Sequence, residues 1–170
     1  SFVEFHERTV RGDYDLAITA ANLGRLAQLD VGAQAIGIYE PPLVALAVMS
    51  KMNRLQSLEA LRGRTLALSN PQSLVALSGF AWLAQHGVQR NRDYLIFHAR
   101  NDDSLGQVLR AGEAPLAVMS AGEFRQIVPT VRAELEVFAE FAKLPGFFVL
   151  ARRGMPAHAV RELQRAMGSL

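Results

Sequence analysis

The chain has 170 residues, half of them hydrophobic and a fifth charged, with a formal net charge of +2 and no cysteine. That apolar content suits a substantial core in one large domain or two small lobes, and the missing cysteines exclude disulfides, thiolate catalysis and cysteine-based metal sites. The longest apolar run, 43–49, falls far short of the roughly 20 residues that a bilayer-spanning helix needs. Only Lys51 and Lys143 are lysines and the arginines are scattered, which argues against the clustered basic face of a nucleic-acid partner. The basic pairs Arg62 with Arg64, Arg90 with Arg92, and Arg152 with Arg153 stand beside expected turns and read as solvated loop charge.

Phe2, Phe5, Thr9 and Val10 recur at helical spacing and predict a helix over 2–10 that stops at Gly12 and feeds a strand over 15–19. A parallel strand reached through a helix implies an earlier strand, because parallel pairing needs a crossover. More chain is therefore expected before Ser1, and a leader or anchor would lie there. A helix over 22–29, a strand over 35–38, a turn at Pro41-Pro42 and a long strand over 43–50 make up an α/β lobe. Ser57 is placed to cap a short helix ending at Arg62-Gly63, and a buried strand over 65–69 closes on Ser69. Asn70 is expected to cap the next helix with Pro71 at its first position, so that amides around Gln72 and Ser73 face the strand's carboxyl end.

That helix carries Leu74, Leu77, Phe80 and Leu83 to a glycine stop at Gly87, with Trp82 expected in packing. A strand over 94–98 precedes Arg100-Asn101-Asp102-Asp103-Ser104, which opens a helix ending at Gly112. Asp102 and Asp103 read as helix-capping carboxylates. Strands over 116–120, 136–139 and 147–151 follow, with a short helix from Ala121 between the first two. Met155-Pro156 starts a terminal helix with Val160, Leu163 and Met167 along one side.

Two stretches a hundred residues apart read alike: Gly12 to Ala21 and Gly112 to Ala121. Each ends an amphipathic run with glycine, adds an acidic residue, and enters a short apolar strand that opens onto small residues. In open α/β sheets ligands sit outside such strand ends. The divergent positions, Thr19 against Met119 and Ala20 against Ser120, are candidates for ligand contact. For catalysis a nucleophile with a base, paired acids, a metal set or a phosphate loop is needed. No Gly-x-Ser-x-Gly, GxGxxG, Walker loop or His-Glu-x-x-His occurs, and His6, His86, His98 and His158 stand alone. The expectation is binding without catalytic residues, metal or cofactor.

The run from Ser57 to Leu68, followed by Asn70-Pro71-Gln72-Ser73, resembles the start of the second lobe in type 2 periplasmic solute-binding proteins. Within that class it is most similar to the phosphate, phosphonate and phosphite binders of ABC transporters. There an Asp-Pro-x-Ser-Thr-Ser loop holds the ligand's oxyanion. The matching residues here are Asn70, Pro71, Gln72, Ser73, Leu74 and Val75, so Ser73 keeps its hydroxyl and the next two positions are apolar. The family's Ser-His-Asp-Ala helix start corresponds to Asn101-Asp102-Asp103-Ser104. Its Gly-x-Val-Asp corresponds to Gly112-Glu113-Ala114-Pro115, and its first-lobe Gly-x-x-Asp-Leu-Ala is kept as Gly12 to Ala17. Where the family often places a ligand-contacting tyrosine, this chain has Ala20-Ala21-Asn22-Leu23-Gly24.

The resemblance implies an α/β, two-lobed type 2 periplasmic binding protein fold whose first lobe is truncated at its N-terminus. Residues 1–50 with 141–170 would form lobe 1 and residues 51–140 lobe 2, joined by hinge strands at 43–50 and 147–151. It further implies a small-molecule ligand between the lobes, a periplasmic or otherwise extracytoplasmic location, and an ABC permease or fused signalling domain that reads closure. An uncovered edge of a truncated lobe would pair with a second copy as a homodimer. Ligand-binding candidates are Ser69, Asn70, Gln72, Ser73, Arg100, Asn101, Asp102, Ser120, Thr19, Ala20 and Tyr39. An unpaired buried polar group costs about 1–3 kcal/mol, so the lost hydroxyls point to a more apolar or carboxylate-bearing ligand, with Arg100 suited to a carboxylate. The alternatives are the effector domain of a LysR-type regulator and a binding domain that has lost its ligand.

Overall fold

The computed structural model describes residues 2–168, the side chain of Phe2 excepted; Ser1, Ser169, Leu170 and the expected apolar role of Phe2 lie outside the described residues. The chain divides into two compact units, residues 43–144 and residues 1–42 with 145–170.

The larger unit is built on five strands: β3 (Leu43–Ser50), β4 (Arg64–Leu68), β5 (Tyr94–His98), β6 (Leu116–Ser120) and β7 (Leu135–Leu144). They lie in the order β5-β4-β6-β3-β7, with β4 parallel to β5 and β6, and β3 antiparallel to β6 and β7. Period-two alternation sends successive side chains to opposite faces. Leu66, Leu68, Leu116 and Val118 join one core cluster with Leu61, Ala76 and Leu83 from the 3-10 turn Leu58–Leu61 and from helix α3 (Leu74–Gln85). Ala67, Ala117, Met119, Leu46 and Val48 join another. Its helical side comes from α4 (Asp102–Ala111) through Leu105, Val108 and Leu109, and from the segment of α5 (Ala121–Gln126) and α6 (Pro129–Arg132) through Ile127 and Val131. The sheet is thus covered on both faces, as parallel strands require.

In the smaller unit β8 (Phe148–Ala151) lies between β1 (Leu16–Thr19) and β2 (Gln34–Ile38), antiparallel to both. Ala17 and Leu150 face α1 (Phe2–Arg11) and α2 (Ala21–Val31), while Ile36, Val149 and Ala151 face Val160, Leu163 and Met167 of α7 (Ala157–Gly168). Among the described residues the neighbour of β1 is antiparallel β8; the parallel partner expected before Ser1 lies outside them. Leu16 and Ile18 are 40% and 52% exposed along this edge strand.

The unit boundaries fall at Pro42 and Pro145, not at residues 50 and 141. The strand expected as a hinge and part of lobe 1, β3, is an interior strand of the larger sheet, its last six residues buried between β6 and β7. Strand β7 runs from Leu135 to Leu144, well beyond the expected 136–139. Its Glu136, Glu140 and Lys143 weaken the apolar signal because it is an edge strand, where charges discourage further pairing.

The two repeated phrases fold alike. Gly12 and Gly112 take φ of 82° and 74°, the left-handed conformation that glycine adopts without steric cost. In each, the following amide reaches back five residues, Asp13 N to Arg8 O at 3.0 Å and Glu113 N to Val108 O at 3.1 Å, closing the helix end in a Schellman motif. The copies differ in their sheets: β1 is an edge strand, while β6 lies between β4 and β3.

Candidate functional site

Parallel pairing brings the carboxyl ends of β4, β5 and β6 to one edge of the larger sheet, each followed by a polar turn into a helix. After β4 the expected helix start moves. Asn70 Oδ1 accepts from Gln72 N at 2.9 Å, an Asx turn, and α3 begins at Leu74 with Ser73 as cap, its Oγ accepting from Ala76 N at 3.1 Å. Asn70 and Pro71 therefore lie in the turn, because the Asx bond closes the chain before helical geometry is reached. Ser57 likewise makes no capping bond; its hydroxyl bonds the Glu59 carboxylate and holds it below its usual range.

After β5, Asn101 caps α4 by accepting from Ser104 N at 2.8 Å, a role the sequence reading gave to the two aspartates. Asp103 instead accepts from Val128 N at 3.0 Å. Asp102 sits in the first turn of the helix, half-buried, and burial together with the Glu123 and Asp103 carboxylates pushes its pKa up. Arg100, just before the cap, is exposed. After β6, Ser120 caps α5 in a full capping box: Glu123 N donates to Ser120 Oγ at 3.1 Å and Ser120 N donates to Glu123 Oε2 at 2.6 Å. The second carboxylate oxygen, Oε1, accepts from Ser69 Oγ at 2.7 Å. Glu123 thereby joins the ends of β4 and β6.

Of the candidates, Ser69 and Ser120 meet on Glu123, and Asp102 lies within its field. Asn70, Gln72, Ser73, Arg100 and Asn101 occupy the two neighbouring turns of the same edge. Glu123 escaped the sequence reading, although Ser120-x-x-Glu123 is a legible capping-box pattern. Leu74 and Val75 are half-buried and buried, so the two positions that carry hydroxyls in the resembled loop offer none here.

Thr19, Ala20 and Tyr39 belong to the smaller unit. Thr19 and Ala20 are buried, and Ala20 starts α2 without a side-chain cap, in contrast to its counterpart Ser120. Tyr39 is half-exposed, its amide donating to Phe147 O at 2.8 Å. A cavity of about 440 Å³ in this unit is lined by Thr9, Tyr14, Asp30, Arg152 and Arg153 among others, at the amino end of β1, and none of the candidates lines it.

The arginine pairs are less free than expected. Arg62 bonds Asp93 Oδ1 at 2.7 Å and Gly87 O at 2.7 Å, and Arg92 joins the same carboxylate. With the Gln89 amide, these hold Asp93 down to a pKa of about 2. Arg90 lies over the Phe80 ring at 4.5 Å and Arg152 pairs with Asp15. Trp82 stacks on Phe141 with centroids 5.0 Å apart, so its role is packing. Among the described residues no group of His, Asp and Glu is arranged to hold a metal ion.

Polar turns gathered at the carboxyl ends of parallel strands, on a sheet covered by helices, define the class as an open α/β fold, and this edge is where such sheets place their ligands. A family model described as the periplasmic substrate-binding protein of the phosphonate ABC transporter matches residues 1–170, and the chain belongs to that family. Its fold is that of type 2 periplasmic binding proteins, as solved structures show. XAC2383 from Xanthomonas citri, bound to chloride, superposes with a TM-score of 0.81 at 16% identity over 96% of this chain and 66% of its own. PhnD1 from Prochlorococcus marinus in complex with methylphosphonate gives 0.79 at 14% identity, over 96% and 67%. A binding protein component of an ABC phosphonate transporter from Pseudomonas aeruginosa gives 0.72 at 14%, over 97% and 59%. The chain thus spans about two thirds of the length of the first of these structures. No curated protein matches the sequence.

Proposed function

We propose that the chain is the solute-binding part of an extracytoplasmic ABC uptake system, and that it captures a small carboxylate-bearing solute without transforming it. The observation that carries this reading is the convergence of three strand-to-helix turns at one edge, with Ser73 and Asn101 capping two of the helices and the exposed Arg100 directly before the second cap. A guanidinium presents paired donors that fit a carboxylate. The family supports binding and an extracytoplasmic setting. The solute would act by shifting the conformational population that a permease reads.

The reading is tested by thermal shift and titration calorimetry on the wild type with phosphate, methylphosphonate, alkyl sulfonates, dicarboxylates and hydroxy acids. A carboxylate ligand is expected, with affinity at least about tenfold weaker in Arg100→Ala, the loss of one charge-assisted pair. Tight phosphonate binding undiminished by Arg100→Ala would overturn the reading. Absence of stabilisation by the whole panel would favour a domain that has lost its ligand.

A further inference from the structure

We propose that the smaller unit holds a second ligand site, built from other residues than the turns after β4, β5 and β6, and that it takes a small zwitterion, an α-amino acid with an apolar side chain. The site is the cavity of about 440 Å³ at the amino end of β1, where α1, α2 and β8 all end. Small-molecule pockets span roughly 300–1,000 Å³, so the space suits such a ligand. It adds a binding function to solute capture.

The charges that border this cavity are not equivalent. Arg11 and Arg152 are already paired, Arg11 with Asp13 at 3.0 Å and Arg152 with Asp15 at 2.6 Å. Arg153 and Asp30 border it too, and among the described residues neither forms an ion pair or a side-chain hydrogen bond, with the other or with any third residue. One cation and one anion thus stand uncommitted at the same cavity. Asp30 is also poorly placed for stability, because it lies in the last turn of α2, where the helix dipole disfavours a negative charge. The C-terminal turns of both α1 and α2 line the cavity, and the partial negative charge of these helix ends adds to that of Asp30. An ammonium group would satisfy all three. The stem of Arg153 runs beside the same end of α2, its Cδ 3.8 Å from where a Cβ on Gly32 would stand, and its guanidinium offers paired donors to a carboxylate. The remaining wall is apolar, with Val10, Val31 and the buried Leu150. A dianion would leave Asp30 facing like charge, and a simple amine would leave Arg153 unpaired. Only a zwitterion answers both, and the apolar wall accepts its side chain.

Titration calorimetry on the wild type with L-leucine, with isocaproate (leucine without its amino group) and with isoamylamine (leucine without its carboxylate) tests this directly. Leucine should bind, and each single-ion analogue at least about tenfold more weakly, because one charge-assisted pair is lost. Arg153→Met and Asp30→Asn, both at exposed positions and both checked for an unchanged circular-dichroism spectrum, should each weaken leucine by at least about tenfold. Arg100→Ala, which is expected to impair capture of the transported solute, should not alter leucine affinity. No binding of leucine to the wild type, equal binding of leucine and either analogue, or leucine binding that survives Arg153→Met or Asp30→Asn overturns the proposal. So does leucine binding that is abolished by Arg100→Ala, which would place leucine at the turns of the larger sheet and leave the solute-binding reading standing.

Discussion

Gly106 lies inside α4, and two opposing effects decide what an alanine there would do. In a solvent-facing helix Gly→Ala stabilises by about 1 kcal/mol. At Gly106, however, a new Cβ would stand 2.8 Å from Ile127 Cγ2 and 3.1 Å from Val131 Cγ1. Carbon atoms prefer about 3.5–4.0 Å. Both partners are β-branched and therefore stiff at χ1, and both are buried, 1% and 4% exposed, so neither can swing aside. Overpacking of this kind costs about 1–3 kcal/mol, which exceeds the propensity gain. Gly106→Ala should destabilise by about 1 kcal/mol, a fall in Tm of about 2–4 °C for a chain of this size. Gly79 in α3 is the internal control. There the nearest contacts are Val118 Cγ1 at 3.0 Å and two further Val118 atoms at 3.4 Å. Val118 is as stiff and as buried as those two but need give only a few tenths of an ångström, so Gly79→Ala should leave Tm within about 2 °C of wild type, the clash and the propensity gain nearly cancelling. Thermal unfolding followed by circular dichroism reads both. A Gly106→Ala protein melting at or above wild type would refute the packing argument, because the propensity gain would then have prevailed.

Two further predictions concern titratable groups. Tyr94 is 3% exposed and its hydroxyl has no hydrogen-bond partner; burial pushes its pKa to about 12. Tyr94→Phe removes an unsatisfied polar group, so stability should rise by about 1 kcal/mol, and a lower Tm would show that the hydroxyl is in fact satisfied. Because an unfolded tyrosine ionises near pH 10, the wild type should lose stability from about pH 10 to about 12, and Tyr94→Phe should lack that part of the decline. Asp93 shows the opposite sign. Its arginine partners and the Gln89 amide hold its pKa near 2, below that of an unfolded aspartate, so its contribution is present above about pH 4 and disappears as pH falls through about 2. In acid titration monitored by tryptophan fluorescence, Asp93→Asn should be less stable than wild type at neutral pH and approach it near pH 2. A constant difference across the range would contradict the assignment.

The elements were legible wherever local chemistry is self-sufficient. The Gly12 and Gly112 helix stops and the apolar strands β3, β4 and β6 all follow from residues close in sequence. Legibility failed where two local options compete. Asn70 and Ser73 are both competent caps, and only the Asx bond to Gln72 N decides that the helix waits for Ser73. Strand β7 was cut short because the charges that protect an edge also erase the pattern that announces a strand. The placement of β3 in the larger unit depends on its pairing with β6 and β7, which no property of residues 43–50 encodes.

By itself the sequence determined the α/β class, the order of the elements, the edge of the sheet at which polar turns gather, and the resemblance to solute binders. Periodicity, capping and glycine stops act over a few residues, and neighbours suffice to fix them. Tertiary structure alone decided which chemistry that edge offers. The bond from Ser69 to Glu123 spans strands that are adjacent only because β4 and β6 pair in parallel, and it ties together two strand ends that lie 54 residues apart in sequence.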